Sequence, residues 1–387
     1  AGNGSTARWS TGPSGLVTTE FRITESTGSL TMSSISHVAE GGGVVKKTGA
    51  GTLTLGGFVG FAPNKGFESA SVEGGTLVLA AGVDMSFWIF FGAITDVKEG
   101  GTLKFGSGAG NGQILRTGSF AMTGGTFDLN GNTQNQVPAP TGSGTMMNSA
   151  TGTTAVARLT VSGSRAFSGN IVDGAGRLAV TLELGAGTLS LSGSNTYSGA
   201  TTIGGTTTLR AGSATALSPN SAYNVPGGRT LDLAGYTNSI GSLTGNGNVT
   251  MGDASITIGS DNTSPAAFSG VISGSGSLTK TGTGTLVLSG TNTYSGDTRV
   301  QSGMLSIVQP YLSGNADVYV SSGATFALNF ADTNTIRWLY FDGKPQLQGI
   351  WGAPASGAEY TSPFFTGTGK LRVTLGPDLH GTVIIVR

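Results

Sequence analysis

The sequence predicts an all-β protein that folds as a parallel β-helix. One observation is a repeated segment, in which GTGTLVLSGTNTYSGDTRV at 282–300 answers GAGTLSLSGSNTYSGATTI at 185–203. A second is a shorter motif, G-G-T-L-x-L, which recurs with variations and which we call an echo. Its threonine falls at Thr52, Thr76, Thr102 and Thr126, so the spacings are 24, 26 and 24 residues. A third is glycine, which is 68 of 387 residues and has no G-X-Y period. We therefore assign the glycines to turns between short strands.

The length of the period selects the architecture. Strand-and-turn units that repeat every 20 to 50 residues indicate a solenoid or a propeller. A four-stranded propeller blade needs roughly 40 to 50 residues, whereas about 24 residues make one coil of a parallel β-helix. We expect neighbouring coils to pair at about 4.8 Å and to stack Leu, Val and Ile in one core, with roughly 13 or 14 coils over the chain.

Each long repeat is predicted to form a strand, a polar corner and a second strand. In the later copy Thr285–Leu288 is the first strand and Thr298–Val300 the second. Between them, Asn292 and Ser295 can bond their own backbone and Gly296 can take a positive φ. Tyr197 of the earlier copy corresponds to Tyr294, 97 residues later.

Charge and cysteine content exclude several classes of protein. Twenty Lys and Arg residues balance twenty Asp and Glu residues, and only 10% of residues are charged. The absence of a basic stripe argues against nucleic acid and anionic membranes as partners, and weak surface charge favours self-association. There is no cysteine, hence no disulfide framework, and no apolar run approaches the roughly 18 residues of a membrane span.

Residues 1–48 are predicted to be an N-terminal arm followed by capping coils. Residues 1–15 are polar with one large apolar group, Trp9, and apolar alternation begins with Phe21-Arg22-Ile23. The opening coils would shield the exposed end of the core. The chain begins at Ala1, as we expect of a signal-cleaved mature protein or a trimmed chain.

Residues 49–330 hold the predicted β-helix repeats, with two interruptions. The stretch 85–91, MSFWIFF, would as a strand place Phe87 and its alternates on one face and Trp88 and Phe90 on the other, so both faces need cover. A neighbouring loop or another chain could supply it, and we name Phe87, Trp88 and Phe90 as candidate contact residues. The stretch 130–148 contains two prolines, Pro138 and Pro140, and predicts a loop or a long excursion from one coil.

Residues 331–387 are predicted to be a C-terminal cap module with a terminal strand. Seven aromatic residues occur between 332 and 376, and Asp342-Gly343 is a hairpin signal. This aromatic β-hairpin is expected to cap the core, with glycan stacking on Trp338, Tyr340 and Trp351 as the functional alternative. The last strand, with Val383, Ile384, Ile385 and Val386, folds back or adds to another subunit.

The segments GTLVLSGTNTYSG and GTLSLSGSNTYSG closely resemble the autotransporter-associated β-strand repeat, also called the passenger-associated transport repeat. The family occurs in secreted β-helical proteins, and the resemblance implies a right-handed helix. The segments 333–353 and 364–377 look like the C-terminal module of stand-alone members. Since no translocating barrel follows in this sequence, we expect the stand-alone type.

The residues do not predict an enzyme. The acidic residues considered are scattered singly along the chain: Asp84, Asp96, Asp128, Asp173, Asp232, Asp253, Asp297 and Asp317. A lyase or hydrolase would need such groups gathered across stacked coils. The two histidines, His37 and His380, lack ligand or triad spacing, and no phosphate loop or calcium nonapeptide occurs. We predict no cofactor and no metal.

The leading hypothesis is a secreted structural protein whose β-solenoid subunits associate into an extracellular fibre or surface layer. Its predicted partner is a second copy of the chain. The alternative is a monomeric adhesin, or a glycan-binding passenger whose aromatic module or loop 130–148 holds a surface carbohydrate. A polysaccharide lyase or hydrolase is the third hypothesis. The predicted location is extracellular or at the cell surface.

Overall fold

The fold is described from a computed structural model of the 387-residue chain. The structure describes residues 5–11, 17–32, 43–56, 67–80, 91–110, 113–114, 118–133, 135–183 and 185–377. In these residues every regular element is a β-strand. The chain divides into two units, residues 1–218 and 219–387.

The first unit contains nineteen strands in the described residues. They are β1 (Ser5–Thr11), β2 (Val17–Ile23), β3 (Ser29–Met32), β4 (Val44–Thr48), β5 (Thr52–Leu55), β6 (Phe67–Val72), β7 (Gly75–Leu79), β8 (Phe91–Val97), β9 (Gly101–Phe105), β10 (Ala121–Asp128), β11 (Gln136–Pro138), β12 (Thr141–Met147), β13 (Thr154–Thr160), β14 (Gly163–Phe167), β15 (Asn170–Ile171), β16 (Arg177–Leu182), β17 (Ala186–Leu191), β18 (Thr201–Ile203) and β19 (Thr206–Ala211).

These strands form three parallel ladders, in which each coil supplies successive strands to different sheets. One ladder runs β2-β4-β6-β8, with β1 antiparallel to β2. The second runs β3-β5-β7-β9-β10-β12-β14-β17-β19, and β15 also pairs with β12. The third runs β11-β13-β16-β18. Because parallel pairing requires a crossover between sheets, this order produces stacked coils.

The evenly spaced threonines predicted from the sequence are in register. Thr52 pairs with Thr76, Thr76 with Thr102, and Thr102 with Thr126. The leucine or phenylalanine that follows each threonine is buried, so the inward positions stack as one column: Leu53, Leu77, Leu103 and Phe127. The predicted coil length for this part of the chain is therefore confirmed.

The prediction of a loop at 130–148 is wrong. This stretch forms β11 and β12, which pair in parallel with β13 and β10. Pro138 is tolerated in β11 because β11 is an edge strand with β13 as its one neighbour, so no ladder bond needs its missing N–H. Gly142 and Gly144 have φ values of 88° and 122° within β12, where a Cβ would meet the carbonyl of the neighbouring strand.

The second unit contains twenty-one strands in the described residues. They are β20 (Ala222–Val225), β21 (Thr230–Asp232), β22 (Asn238–Ile240), β23 (Ser242–Gly245), β24 (Asn248–Thr250), β25 (Ile256–Ile258), β26 (Val271–Gly274), β27 (Leu278–Lys280), β28 (Thr285–Leu288), β29 (Thr293–Tyr294), β30 (Thr298–Val300), β31 (Gly303–Ile307), β32 (Val318–Val320), β33 (Ala324–Leu328), β34 (Thr333–Ile336), β35 (Leu339–Phe341), β36 (Lys344–Pro345), β37 (Gly349–Gly352), β38 (Tyr360–Thr361), β39 (Phe365–Gly367) and β40 (Lys370–Val373).

Three parallel ladders make the coils of this unit. One runs β21-β24-β26-β29, another β22-β25-β27-β30-β32-β35, and a third β28-β31-β33-β39, while β20 pairs with β23. Most strands are three to five residues long, and in the three-residue strands of the ladder from β22 to β35 both end residues are buried and the middle residue points outward. Inward residues from the three ladders meet in one core of Leu, Val, Ile and Phe.

The C-terminal segment contains the antiparallel pairs of this unit. β35 and β36 form a hairpin whose turn residues Asp342 and Gly343 have φ values of 48° and 74°. Positive φ at both central positions is the type I′ geometry that this pair of residues predicts. β37 is antiparallel to β40. The capping role of this segment stays a prediction.

The chain is thus an all-β parallel solenoid of about 13 turns. No helix in the described residues is long and apolar enough to cross a membrane. The right-handed sense stays an expectation from the family resemblance. The division into an arm, repeats and a cap likewise stays a prediction.

Candidate functional site

The two long repeats place the same tyrosine at a buried corner. Tyr197 and Thr201 lie 2.7 Å apart through their hydroxyl oxygens, and Tyr294 and Thr298 lie 2.8 Å apart. Both rings are buried, so the four-residue spacing brings each hydroxyl to a partner inside the core. Burial raises the pKa of Tyr294 to about 12, against the opposing hydrogen bond with Thr298.

A buried asparagine fixes the start of each corner. The Oδ1 atom of Asn195 accepts the backbone N–H of Ile171 at 2.7 Å, and that of Asn292 accepts Ile272 N–H at 2.8 Å. Asn195 also donates to the carbonyl of Ala216, so it bridges three successive coils. These bonds satisfy backbone groups where the chain leaves its strands. The role of N-T-Y-S-G is therefore structural.

Two lysines that the sequence analysis did not identify occupy inward positions. Lys47 is fully buried on β4, and its Nζ donates to the carbonyls of Thr48, Gly49 and Gly74 at 2.9, 2.8 and 2.9 Å. An ammonium group has three donors, and each finds an acceptor here. Burial lowers the pKa of Lys47 to about 8.

Lys280 repeats this arrangement on β27. Its Nζ donates to the carbonyls of Thr281, Gly282 and Ser302, the last at 3.3 Å in the next coil. Burial lowers its pKa, and the charge of Asp261 partly opposes that change. The shared sequence K-T-G-x-G-T-L at 47–53 and 280–286 is the signal for this buried cation.

The outer surface of the ladder from β22 to β35 changes character along its length. The middle residue of each strand points outward and pairs in register with the next. These residues are Ser239, Thr257, Thr279, Arg299, Tyr319 and Tyr340. The first three are neutral and hydroxylic, and the last three are cationic or aromatic. We call this set the outer column.

Rings and a guanidinium group stack at the aromatic end of the outer column. The Arg299 Cζ atom lies 3.8 Å from the centre of the Tyr319 ring. On its other side Tyr319 stacks on Tyr340, with centroids 4.5 Å apart and planes 5° apart. Trp338 lies beside them, 6.1 Å from Tyr340 between centroids. The faces of Tyr319 are therefore occupied within the stack.

Two ion pairs border this stack. Arg299 Nη2 is 2.8 Å from Asp297 Oδ2, and Arg337 makes a bidentate pair with Asp317 at 2.8 and 3.0 Å. Asp297 Oδ1 also accepts the backbone N–H of Asp317 at 3.0 Å. Asp297 and Asp317 thus lie at equivalent positions of neighbouring coils, but each forms an ion pair with an arginine. This arrangement does not provide the free carboxylate pair that a hydrolase needs.

The sequence-predicted glycan residues fall in two environments. Trp338 and Tyr340 are half-buried on the outer surface described above. Trp351 is 7% exposed, stacks on Tyr360 at 5.0 Å, and packs edge-on against Phe341. Its indole N–H donates to the carbonyl of Leu347 at 2.8 Å. Trp351 therefore packs inside the C-terminal segment and is not part of the outer surface that carries Trp338 and Tyr340.

The predicted assembly contacts lie outside the described residues. This holds for Phe87, Trp88 and Phe90, and for Val383, Ile384, Ile385 and Val386. Arg299 and Tyr319, in contrast, are surface residues that the sequence reasoning missed. Their signal is spacing, because Arg299, Tyr319 and Tyr340 follow one another after 20 and 21 residues, the local coil length.

One serine has a polar environment that resembles a catalytic one. Ser149 Oγ donates to Asp128 Oδ2 at 2.6 Å and accepts from Lys104 Nζ at 2.8 Å. Burial raises the pKa of Asp128, but hydrogen bonds from Ser149 and Lys104 outweigh it and lower the pKa overall. Lys104 Nζ also forms an ion pair with Asp128 Oδ2 at 2.9 Å. Neither neighbour is a base that would activate the hydroxyl.

The described residues contain no group of three or more His, Asp or Glu side chains that could hold a metal ion. His37 and His380, the two histidines of the chain, lie outside the described residues. The predictions that the chain has no cofactor and is not an enzyme stay predictions.

Comparison with known proteins relates the two corners to a family of repeats. The passenger-associated transport repeat model matches residues 184–209 and 278–307. These segments contain the two Tyr–Thr corners, and the second also contains Lys280. No solved structure matches the chain.

Two curated proteins are similar to parts of the chain. Adhesin BmaC autotransporter of Brucella suis biovar 1 (strain 1330) is 33% identical over 224 residues, which are 54% of this chain and 6% of that protein. Extracellular serine protease of Serratia marcescens is 48% identical over 61 residues, which are 16% of this chain and 6% of that protein. The chain therefore spans a small fraction of either relative. The chain therefore contains two segments that match the passenger-associated transport repeat, and each of them forms a Tyr–Thr corner.

Proposed function

We propose that this chain is an extracellular, adhesin-like β-solenoid passenger that acts by binding rather than by catalysis. The observation that carries the proposal is its similarity over 54% of its length to a protein named as an autotransporter adhesin. Both relatives carry names of autotransporter or extracellular proteins, which supports an extracellular location.

The surface chemistry supports this function. Outward strand positions carry hydroxyl groups and paired ions, and the stacked coils hold them on a rigid ladder of backbone hydrogen bonds. Such a surface can present the same groups at regular spacing to an extended ligand. The hydroxyl groups of Ser149 and Ser198 each contact an aspartate and a basic side chain, and neither set of contacts includes a histidine.

The test is an adhesion assay. Beads coated with the purified chain are placed on epithelial monolayers, purified polysaccharide films and bare glass, and detachment is measured under increasing flow. We expect retention on at least one biological surface and competition by the soluble folded chain. Beads coated with serum albumin are the control. Retention equal to that of albumin beads on every surface would contradict the proposal.

A second candidate function is self-association into a fibre or surface layer. It is favoured by the in-register hydroxyl column of the first unit, since Ser29, Thr52, Thr76, Thr102 and Thr126 pair in succession without a charged residue among them. A neutral, regular face is poorly protected against edge or face contacts between copies. The proposed contacts are Phe87, Trp88, Phe90 and the segment 383–386.

Negative-stain electron microscopy tests this second candidate. We expect filaments from the intact chain and single particles after deletion of 383–386. Circular dichroism of both samples controls for folding. Single particles from the intact chain at high concentration would reject the fibre and leave the adhesin.

A further inference from the structure

We propose that the aromatic end of the outer column is a binding site for neutral polysaccharide. The inference rests on the adhesin function proposed above and names its ligand class. The site consists of Trp338 with the two ion pairs Asp297–Arg299 and Asp317–Arg337. The stack of Tyr319 and Tyr340 supports it from within.

Trp338 supplies the apolar contact surface. It is half-buried, and its ring is tilted by 30° from that of Tyr340 instead of stacking on it. Tyr319 cannot take this role, because Arg299 lies over one of its faces and Tyr340 over the other. An indole face held beside a rigid stack suits the apolar face of a sugar ring, which binds with little loss of side-chain entropy.

The arginines supply hydrogen-bond donors around that ring. Asp317 uses the Nε and Nη2 atoms of Arg337, and Asp297 uses Nη2 of Arg299. Asp317 does not use Nη1 of Arg337, whereas the Arg299 side chain also hydrogen-bonds to Tyr319. The Arg337 side chain is 48% exposed and that of Arg299 38% exposed. Hydroxyl groups of a ligand can therefore reach these donors.

Charge balance selects a neutral ligand. Two carboxylates and two guanidinium groups cancel across the site, so an acidic polymer gains no net attraction there. A sugar hydroxyl both donates and accepts, and can bond to a guanidinium group and a carboxylate in turn. A polysaccharide also matches two ion pairs in neighbouring coils, because it offers similar groups at successive positions.

The earlier long repeat shows which residues can replace the Asp297–Arg299 ion pair in this fold. In the earlier long repeat, Ala200 and Thr202 stand where the later repeat has Asp297 and Arg299. Both repeats form the same Tyr–Thr corner and the same kind of short strand. The double variant Asp297→Ala/Arg299→Thr therefore restores a pair of residues that this fold already accepts.

The experiment is affinity electrophoresis of the full chain in native gels that contain one polysaccharide each. The neutral probes are dextran, mannan and hydroxyethylcellulose, and the acidic probes are alginate and heparin. We expect at least one neutral polymer to retard the chain, with retardation unchanged by added salt. Trp338→Ala and the double variant should each weaken binding by about tenfold, and Trp338→Phe by less.

Tyr236→Ala is the matched control, because it removes an exposed ring, 44% exposed, from the same unit but at the hydroxylic end of the ladder. It should leave binding unchanged. Thermal unfolding of every variant controls for folding. The proposal is overturned if no neutral polymer binds, if only acidic polymers bind, or if folded Trp338→Ala and the double variant bind as the wild type does. A chain that adheres to cells but fails this test keeps its adhesin function and loses only this site.

Discussion

At the scale of single residues, the buried lysines are the least expected feature. A charged side chain inside a core is costly unless all its donors are paired. Lys47 and Lys280 offset part of that cost, because each links backbone carbonyls of its own turn to one in the next coil, while burial still lowers the pKa of both groups. They act as internal braces between coils.

Replacing Lys47 by methionine tests this role. The carbonyls of Thr48, Gly49 and Gly74 would lose their shared donor, and we expect a loss of about 2 kcal/mol in the free energy of unfolding. Lys46→Met is the control, since Lys46 points outward and makes one surface ion pair with Glu73. Urea unfolding should show a large shift of the midpoint for the first variant and a small one for the second. Equal shifts would contradict the bracing role.

The pKa of Lys47 also predicts how stability depends on pH. Its folded value of about 8 lies below the ordinary value of 10.5, so the unfolded chain binds the extra proton between these limits. The contribution of this group to stability therefore rises from pH 8 to pH 10.5. The difference between wild type and Lys47→Met in urea midpoint should grow over this window. A difference that stays constant would show that the lysine is not titrating there.

The pKa shift of Tyr294 has the opposite effect on the pH dependence of stability. Its folded pKa of about 12 lies above the ordinary value of 10, so the unfolded chain loses the proton first. Its contribution is complete below pH 10 and is lost as the pH rises towards 12. Tyr294→Phe should remove that part of the alkaline loss of stability. An absorbance titration of tyrosinate, run on both proteins, identifies the late-titrating group.

At the scale of elements, corner glycines set the distance between coils. A Cβ atom on Gly290 would lie 1.9 Å from the carbonyl oxygen of Gly270, so even alanine requires the backbone to move. The corners of neighbouring coils therefore approach more closely than any other residue type permits.

Gly290→Ala should cost about 3 kcal/mol or prevent folding of the adjacent coils. Gly314→Ala is the control, because its Cβ would meet only the Thr335 methyl group, at 3.9 Å. Hydrogen exchange measured by mass spectrometry should show lost protection in β26 to β31 for the first variant alone. Wild-type protection in Gly290→Ala would mean that the corner can widen without cost.

The strands show how much of the fold the sequence could predict. The four G-G-T-L echoes form β5, β7, β9 and β10, because the hydrophobic alternation and glycine turns are local signals. The stretch 130–148 was misjudged since proline and glycine usually mark loops, whereas here an edge strand and close backbone contact accommodate them.

The candidate site was less predictable. Trp338 and Tyr340 were named because aromatic residues are conspicuous in a sequence with so few. Arg299 and Tyr319 were missed because their meaning depends on register between coils, which is set by corner lengths. Trp351 looked equivalent to Trp338 in the sequence, but its strand turns it inward.

At the scale of the whole molecule, stability should depend little on salt. The net charge is zero and 10% of residues are charged. The surface ion pairs in the described residues join only two or three side chains each. Surface pairs contribute roughly 0 to 1 kcal/mol each and are screened by salt. We expect urea midpoints at low and at moderate sodium chloride to agree closely. A steep fall with salt would reveal an electrostatic contribution that the described contacts do not contain.

The buried ammonium groups divide the amines of the chain into two chemical classes. An acylating reagent reaches Lys98, which is 48% exposed, directly, but it reaches Lys47 and Lys280 only when their coils open. Mass spectrometry of the acylated chain, followed over time, therefore reports opening at two internal positions. The protein carries its own reporters of local unfolding, one in each unit.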